Sequence, residues 1–286
     1  MNQKPFSQLT EEEKEYLFDL NGYLIIDNAL NSEQLAWINR WIDSQPQDLP
    51  TGTWLGNVEL HTYGKSDGLN YQNIIEGGKV FEEIIDNPSW IELVRKFIAN
   101  EFNHVTINEC FLNVRGQGGF IGIHSGGHVA GFPSTFRSHT GAWLVGQINI
   151  LMALQDIGPG DGPTVVVPGS HKSHEIHPVL RKPDPKRPNS VYRSDKPDET
   201  LGAIEVRLKA GQALMFTDSL LHGGCSRTNP GDRRILIYRY SPHTMVPRYN
   251  YIPSPEFLAR LTPERRSIVQ VVVPRMAPSA QKSATS

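Results

Sequence analysis

Seven short β-type runs, at 105–114, 120–124, 143–154, 164–167, 204–208, 213–217 and 235–240, follow one another within about 140 residues. Breaks containing Gly or Pro separate them. This pattern argues against βαβ units and leaves a sandwich or a barrel as the expected core. The polar stretch 178–200, with Lys-Pro-Asp-Pro-Lys-Arg-Pro-Asn inside it, reads as an insertion or lid loop.

Ahead of this core the pattern is helical. Thr10 followed by Glu11, Glu12 and Glu13 has the form of an N-cap with a capping box. Tyr16, Leu17 and Leu20 supply an apolar stripe, and Asn21-Gly22 stops the helix before a short strand at 23–26. Asn31 or Ser32 caps a second helix carrying Leu35, Ile38, Trp41 and Ile42 at helical spacing. A third is expected over 88–97, with Trp90, Leu93, Val94 and Phe97 on one face. The Gly-, Asn-, Asp- and Pro-rich residues 45–80 read as long loops with small elements. Thr262-Pro263-Glu264 marks a helix near the C-terminus. The expected organisation is one domain over 1–276: a helical part 8–100, a β core 104–241 and a C-terminal helix 255–270. A disordered tail is expected at 277–286.

Composition works mainly by exclusion. A net charge of −2 on 286 residues gives no bulk attraction to nucleic acid or an anionic membrane. Two cysteines, Cys110 and Cys225, exclude a disulfide framework and suit a reducing cytoplasm. The first residues lack the apolar centre of a signal peptide, and no stretch approaches the roughly 20 apolar residues that span a bilayer. A cytoplasmic protein acting on a small molecule, with neither nucleic acid nor membrane as partner, is the expectation; oligomeric state is left open.

The chemistry-bearing residues lie in the β region. His124 ends one run, in Gly-Phe-Ile-Gly-Ile-His-Ser-Gly-Gly-His. His222 follows another, in Phe-Thr-Asp-Ser-Leu-Leu-His-Gly-Gly-Cys-Ser, and Arg233-Arg234 comes soon after. Two imidazoles on facing strands suit ferrous iron, and a downstream arginine suits the far carboxylate of a bound 2-oxoglutarate. Such a site normally carries a carboxylate two residues after the first histidine, and here that position is Gly126. Taken alone, each histidine reads as an ordinary polar residue at a strand end; it is the ordered set of strands, histidines and arginine that points to a metal site.

The chain resembles the phytanoyl-CoA dioxygenase family of Fe(II)/2-oxoglutarate oxygenases from about 8 to about 270. Leu-Thr-Glu-Glu-Glu-Lys-Glu-Tyr-Leu-Phe-Asp-Leu-Asn-Gly-Tyr-Leu-Ile-Ile resembles that family's opening helix and strand. The segment 156–172, ending Pro-Gly-Ser-His-Lys, resembles its most recognisable stretch, in which His171 reads as loop architecture and not as a ligand. The resemblance implies a double-stranded β-helix (jelly-roll, cupin-like) barrel, mainly β with flanking helices. It also implies Fe(II), 2-oxoglutarate and O2 as cofactor and co-substrates. The family's His-x-Asp motif falls on His124-Ser125-Gly126, and its second histidine on His222. Its arginine, eleven residues past that histidine, falls on Arg233, with Arg234 and Arg239 as fallbacks. An amide that helps to hold the co-substrate falls on Asn113, with Gln147 and Asn149 as weaker candidates.

Gly126 opens several readings. Another side chain can supply a ligand: His128 from the glycine loop, or Asp218, although four extended residues place Asp218 about 13 Å from His222. Water can occupy the position, with a hydroxylase as the outcome. A halide can occupy it instead, which resembles the 2-oxoglutarate halogenases, where Gly or Ala replaces the carboxylate. Finally, the barrel can be a non-catalytic cupin-like binding module. The hydroxylase is the leading reading, acting on an unactivated C–H bond and releasing succinate and CO2. Pocket candidates are the loop 125–140, with Phe132, Phe136, Arg137 and His139, and the earlier Trp54, His61 and Tyr63. No basic cluster suits the phosphates of coenzyme A. The expected substrate is therefore a small polar metabolite or a natural-product intermediate, for example of an alkaloid.

Overall fold

The computed structural model describes residues 4–46, 49–101, 103–125, 135–139, 141–181, 183–184, 187–191, 196–246, 249 and 251–269. Gly126, His128, Phe132 and the tail 277–286, all named above, lie outside the described residues.

The front of the chain forms as its caps dictate. Helix α1 (Glu11–Asn21) starts at Thr10, whose hydroxyl accepts from Glu13 N while the Glu13 carboxylate accepts from Thr10 N. It stops at Gly22, in the left-handed region (φ 79°), where an added Cβ would also lie 2.5 Å from His171 Nδ1. Strand β1 (Tyr23–Ile26) follows, then α2 (Ser32–Ser44), capped by Asn31 with Gln34 closing its box. The loop-rich region contributes three strands: β2 (Trp54–Leu55), β3 (Val58–His61) and β4 (Leu69–Gln72). Their shortness, among turn-forming residues, hides them in the sequence; they pair in series onto the edge of a larger sheet. Helices α3 (Lys79–Glu83) and α4 (Ile91–Ile98) complete this part.

The β core comprises β5 (Val105–Gly116), β6 (Ile121–His124), β7 (Phe136–His139), β8 (Ala142–Val145), β9 (Ile148–Ala153) and β10 (Thr164–Val166). It continues with the hairpin β11 (Pro183–Asp184) and β12 (Arg187–Val191), then β13 (Ile204–Val206), β14 (Ala213–Thr217), β15 (His222–Gly224) and β16 (Asp232–Pro242). The run 143–154, expected as one strand, is two: β8 pairs with β7, whereas β9 enters the large sheet. The C-terminal helix expected over 255–270 is also two, α5 (Pro255–Arg260) and α6 (Pro263–Val269). Pro263 has no N–H with which to continue the first, and Thr262 caps the second.

An eight-stranded sheet of order β1-β14-β9-β16-β5-β4-β3-β2 faces a four-stranded sheet of order β13-β10-β15-β6. The alternation along β16 shows how the large sheet is used. Leu236, Tyr238 and Tyr240 turn outward to a core shared with the helices, where Tyr238 Oη donates to Phe81 O and Tyr240 Oη to Ile85 O. Ile235 and Ile237 turn the other way and join Phe111, Leu151, Leu214 and Phe216 in a second apolar cluster. Arg233 and Arg239 share that inner face, by the same period of two. Among the described residues no helix is long and apolar enough to cross a membrane.

Candidate metal and co-substrate site

Strand pairing alone brings the two histidines together. β15 runs antiparallel to β6, and the register sets His222 opposite His124. Their ring centroids are 4.2 Å apart, with the planes at 55°. Each Nδ1 lies against a carbonyl oxygen two residues upstream: His124 against Gly122 O at 2.8 Å, His222 against Leu220 O at 2.7 Å. A carbonyl only accepts, so each Nδ1 carries the proton and each Nε2 carries the ring lone pair, the tautomer a metal requires.

Neighbouring groups fix this pair. Ser125 Oγ donates to Ser219 O at 2.6 Å, joining the two histidine-bearing segments. Ser170 Oγ accepts from Leu221 N at 2.8 Å, and Leu221 O accepts from Val167 N at 2.9 Å. The Pro-Gly-Ser-His loop thus buttresses the residue before His222. Phe216 packs edge-on to the His222 ring at 4.7 Å.

His171 sits apart from the pair. Its Nε2 donates to Asp19 O at 2.9 Å, and its ring meets Phe136 edge-on at 4.5 Å. Burial pushes its pKa down to about 4 from 6.5. Between those values the unfolded ring holds a proton that the folded ring does not, so stability falls as pH drops from 6.5 towards 4. The loss is on the order of 2–3 kcal/mol. Denaturant unfolding at pH 7 and pH 4.5 should show a smaller pH dependence in His171→Gln than in the parent; equal dependence would contradict the assignment.

The three candidate arginines differ sharply. Arg234 is ion-paired on the outer face, to Asp43 at 2.8 Å and Asp232 at 3.0 Å. Arg239 is ion-paired to Glu109 at 2.7 Å. Arg233 is 1% exposed and forms no ion pair among the described residues; its Nη2 donates to Thr164 Oγ1 at 3.0 Å, while Nε and Nη1 have no partner there. Burial, reinforced by the nearby Arg115 charge, pushes the Arg233 pKa well below its ordinary value. Burial without a carboxylate is unfavourable for a guanidinium, and pairing with an anion offsets that cost.

Asn113 lies on the inner face of β5, opposite Ile235 of β16. Its Nδ2 donates to Asp67 O and to Asn70 Oδ1, each at 2.9 Å, and its buried Oδ1 has no partner among the described residues. The weaker amide candidates are bonded to Asp218, whose Oδ1 accepts from Gln147 at 3.1 Å and from Asn149 at 3.3 Å. Asp218 itself departs from the extended geometry used to place it 13 Å from His222. The chain turns at 218–219, with Leu220 N donating to Thr217 O, and His222 opens a strand of its own. Even so, among the described residues no three His, Cys, Asp or Glu side chains group to hold a metal.

Two features carry no sequence motif. The first is Arg115, fully buried on β5 opposite Arg233. The second is a polar row near the histidines: Tyr63 Oη donates to Glu109, Gln72 Nε2 donates to Glu109 at 3.1 Å, and Arg239 lies between Glu109 and Asn149 on the neighbouring strands. Phe216, which packs on His222, pairs with Asn149 in the same row. Tyr63, Arg239 and Asn149 are candidates from the sequence; for Arg115, Glu109 and Gln72 the signal is the pairing of β5 with its neighbouring strands.

The sequence profile of the phytanoyl-CoA dioxygenase (PhyH) family matches residues 18–235. Dioxygenase trt7 of Aspergillus terreus (strain NIH 2624 / FGSC A1156) is 32% identical over 123 residues, which is 40% of this chain and only 36% of that relative. Dioxygenase FUM3 of Gibberella moniliformis (strain M3125 / FGSC 7600) is 21% identical over 243 residues, 79% of this chain and 70% of the relative. Among solved structures, HygX from Streptomyces hygroscopicus with nickel, 2-oxoglutarate and hygromycin B bound superposes with a TM-score of 0.66 at 19% identity, covering 83% of this chain and 89% of that one. That likeness establishes the shared jelly-roll fold.

Proposed function

The chain belongs to the phytanoyl-CoA dioxygenase family, and from that premise we propose that it is an Fe(II)/2-oxoglutarate-dependent hydroxylase of a small polar metabolite or natural-product intermediate. The observation that carries this reading is the combination of two facing histidines, each with its Nδ1 proton held by a carbonyl, and a buried Arg233 without a carboxylate. His124 and His222 would hold iron through Nε2. Arg233 would pair with the far carboxylate of 2-oxoglutarate, and Asn113 would lie beside the co-substrate.

When bound, iron and 2-oxoglutarate supply the oxidising chemistry: O2 is consumed, one oxygen atom goes to succinate and the other into a substrate C–H bond, and CO2 leaves. The chain itself binds, orients and excludes water. Ile235, Ile237, Leu151 and Phe216 line the inner face between Arg233 and the polar row, a setting in which charge pairing is stronger than in water. Glu109, Arg239, Tyr63 and Asp218 supply both charges and a hydroxyl close to Phe216 and the histidines, and this supports a polar substrate. HygX, on the same fold, binds hygromycin B.

Glycine at 126 leaves one iron position to water, to a halide or to another side chain such as His128. Products decide between them. With candidate substrates in chloride buffer, mass spectrometry should give a gain of one oxygen, with label from 18O2 in both succinate and product. A chlorine isotope pair would establish the halogenase instead, and absence of any succinate formation would support the binding module.

A further inference from the structure

Strands β2 to β4 carry the inner face of the large sheet beyond the histidines. Trp54 pairs with Glu59, Glu59 with Gln72, and Gln72 with Phe111, so these four lie on one rung and point to one side. Aromatic contacts follow the same path. Trp54, 53% exposed, meets Tyr251 edge-on at 5.9 Å, and Tyr251 stacks on Tyr249 at 5.9 Å. Tyr249 lies 6.3 Å from Tyr63, which meets Phe111 at 6.5 Å. Phe111 shares its apolar cluster with Phe216, the ring packed on His222. An aromatic strip therefore runs from the surface to the histidine pair.

Acceptors are left over along this strip. The Glu59 carboxylate accepts from Tyr251 Oη at 2.6 Å and forms no ion pair among the described residues. Arg239, one strand beyond Phe111, is already paired to Glu109. Gln72 is 0% exposed, and its Nε2 donates to Glu109 at 3.1 Å and to Tyr63 Oη at 2.7 Å. A carboxylate only accepts, so the amide cannot be reversed, and its buried Oε1 has no partner among the described residues. An exposed indole, an unpaired carboxylate and an orphaned amide oxygen on one rung suit a ligand with ring faces, N–H or O–H donors and a positive charge.

We propose that this rung is a remote substrate subsite, and that the substrate is a polyhydroxylated ring compound bearing a protonated amine, an amino sugar or aminocyclitol. Its amine-bearing ring rests on Trp54 with the ammonium at Glu59, and a donor satisfies Gln72. Three strand spacings, about 14 Å, separate Trp54 from Phe111. The ring at Trp54 is therefore not the one oxidised, and the substrate has at least two rings. This inference rests on the hydroxylase reading above and names its substrate class.

The test uses the disaccharide of glucosamine, its N-acetylated form and cellobiose, which share size and linkage and differ in charge. Each is titrated calorimetrically into the protein loaded with Fe(II) and 2-oxoglutarate without oxygen. The charged disaccharide should bind about tenfold tighter than either neutral one, the sum of one ion pair and one cation–π contact. That preference should vanish in Glu59→Gln, which keeps an acceptor for Tyr251, and Trp54→Ala should weaken the charged disaccharide while leaving 2-oxoglutarate affinity unchanged. In the parent, added salt should shrink the preference, a reading that needs no variant. Equal binding of the three, no binding of the charged one, or a preference indifferent to salt or to Glu59→Gln overturns the proposal. A parent protein that binds no 2-oxoglutarate overturns the proposed function instead, before any disaccharide is added.

Discussion

Arg233→Met should weaken 2-oxoglutarate binding by about 30-fold to several thousand-fold, the range expected when one partner of a buried charge pair is removed, about 2–5 kcal/mol. The variant should not lose stability in the ligand-free state. Arg233 has a single hydrogen bond, to Thr164, and no ion pair among the described residues, so the apolar replacement removes an uncompensated charge from the interior. This combination of ligand affinity lost and folding retained marks a residue built for a ligand. Calorimetric titration beside a thermal melt reads both. A melting temperature that falls with affinity unchanged would move the role to Arg239, which would have to leave Glu109 to perform it.

His222→Ala should abolish iron loading, with an affinity loss exceeding the roughly 10–100-fold typical of removing a mere second-layer partner. Two imidazoles are the protein ligands the described residues offer, so the loss of one leaves a single donor. The loss should exceed that seen at sites with a third protein ligand. Gly126→Asp, by restoring the family's carboxylate, should tighten iron binding in the parent and partly rescue His222→Ala. Metal analysis after anaerobic loading and desalting checks both. Full iron occupancy in His222→Ala would contradict the assignment.

Much of this architecture was legible because it depends on local rules. The capping boxes at Thr10 and Asn31 and the apolar runs of β14 and β16 are written in a few adjacent residues each. The histidine pair was legible through two motifs that lie far apart in the chain, on strands β6 and β15, which pair in the sheet. What stayed hidden depends on partners remote in sequence. Strands β2 to β4 are only two to four residues long and lie among Gly-, Asn- and Asp-rich turns, so the region reads as loop. The division of 143–154 follows from which strand each half meets, not from its apolar character. Arg115 carries no motif; it stands out only through the register that sets it against Arg233 and through its contacts at Gly162 and Gly224, each distant in the chain. The turn at 218–219, held by the backbone hydrogen bond from Leu220 to Thr217, breaks the extended geometry assumed between Asp218 and His222, and still leaves no carboxylate grouped with the histidines among the described residues.

The most direct test of an iron site that binds 2-oxoglutarate is spectroscopic. Fe(II) and then 2-oxoglutarate are added to the parent protein without oxygen, and the visible spectrum is recorded. The account predicts a metal-to-ligand charge-transfer band that is absent in His222→Ala and that needs far more 2-oxoglutarate in Arg233→Met. A parent protein that folds, yet gives no band and retains no iron, would contradict it.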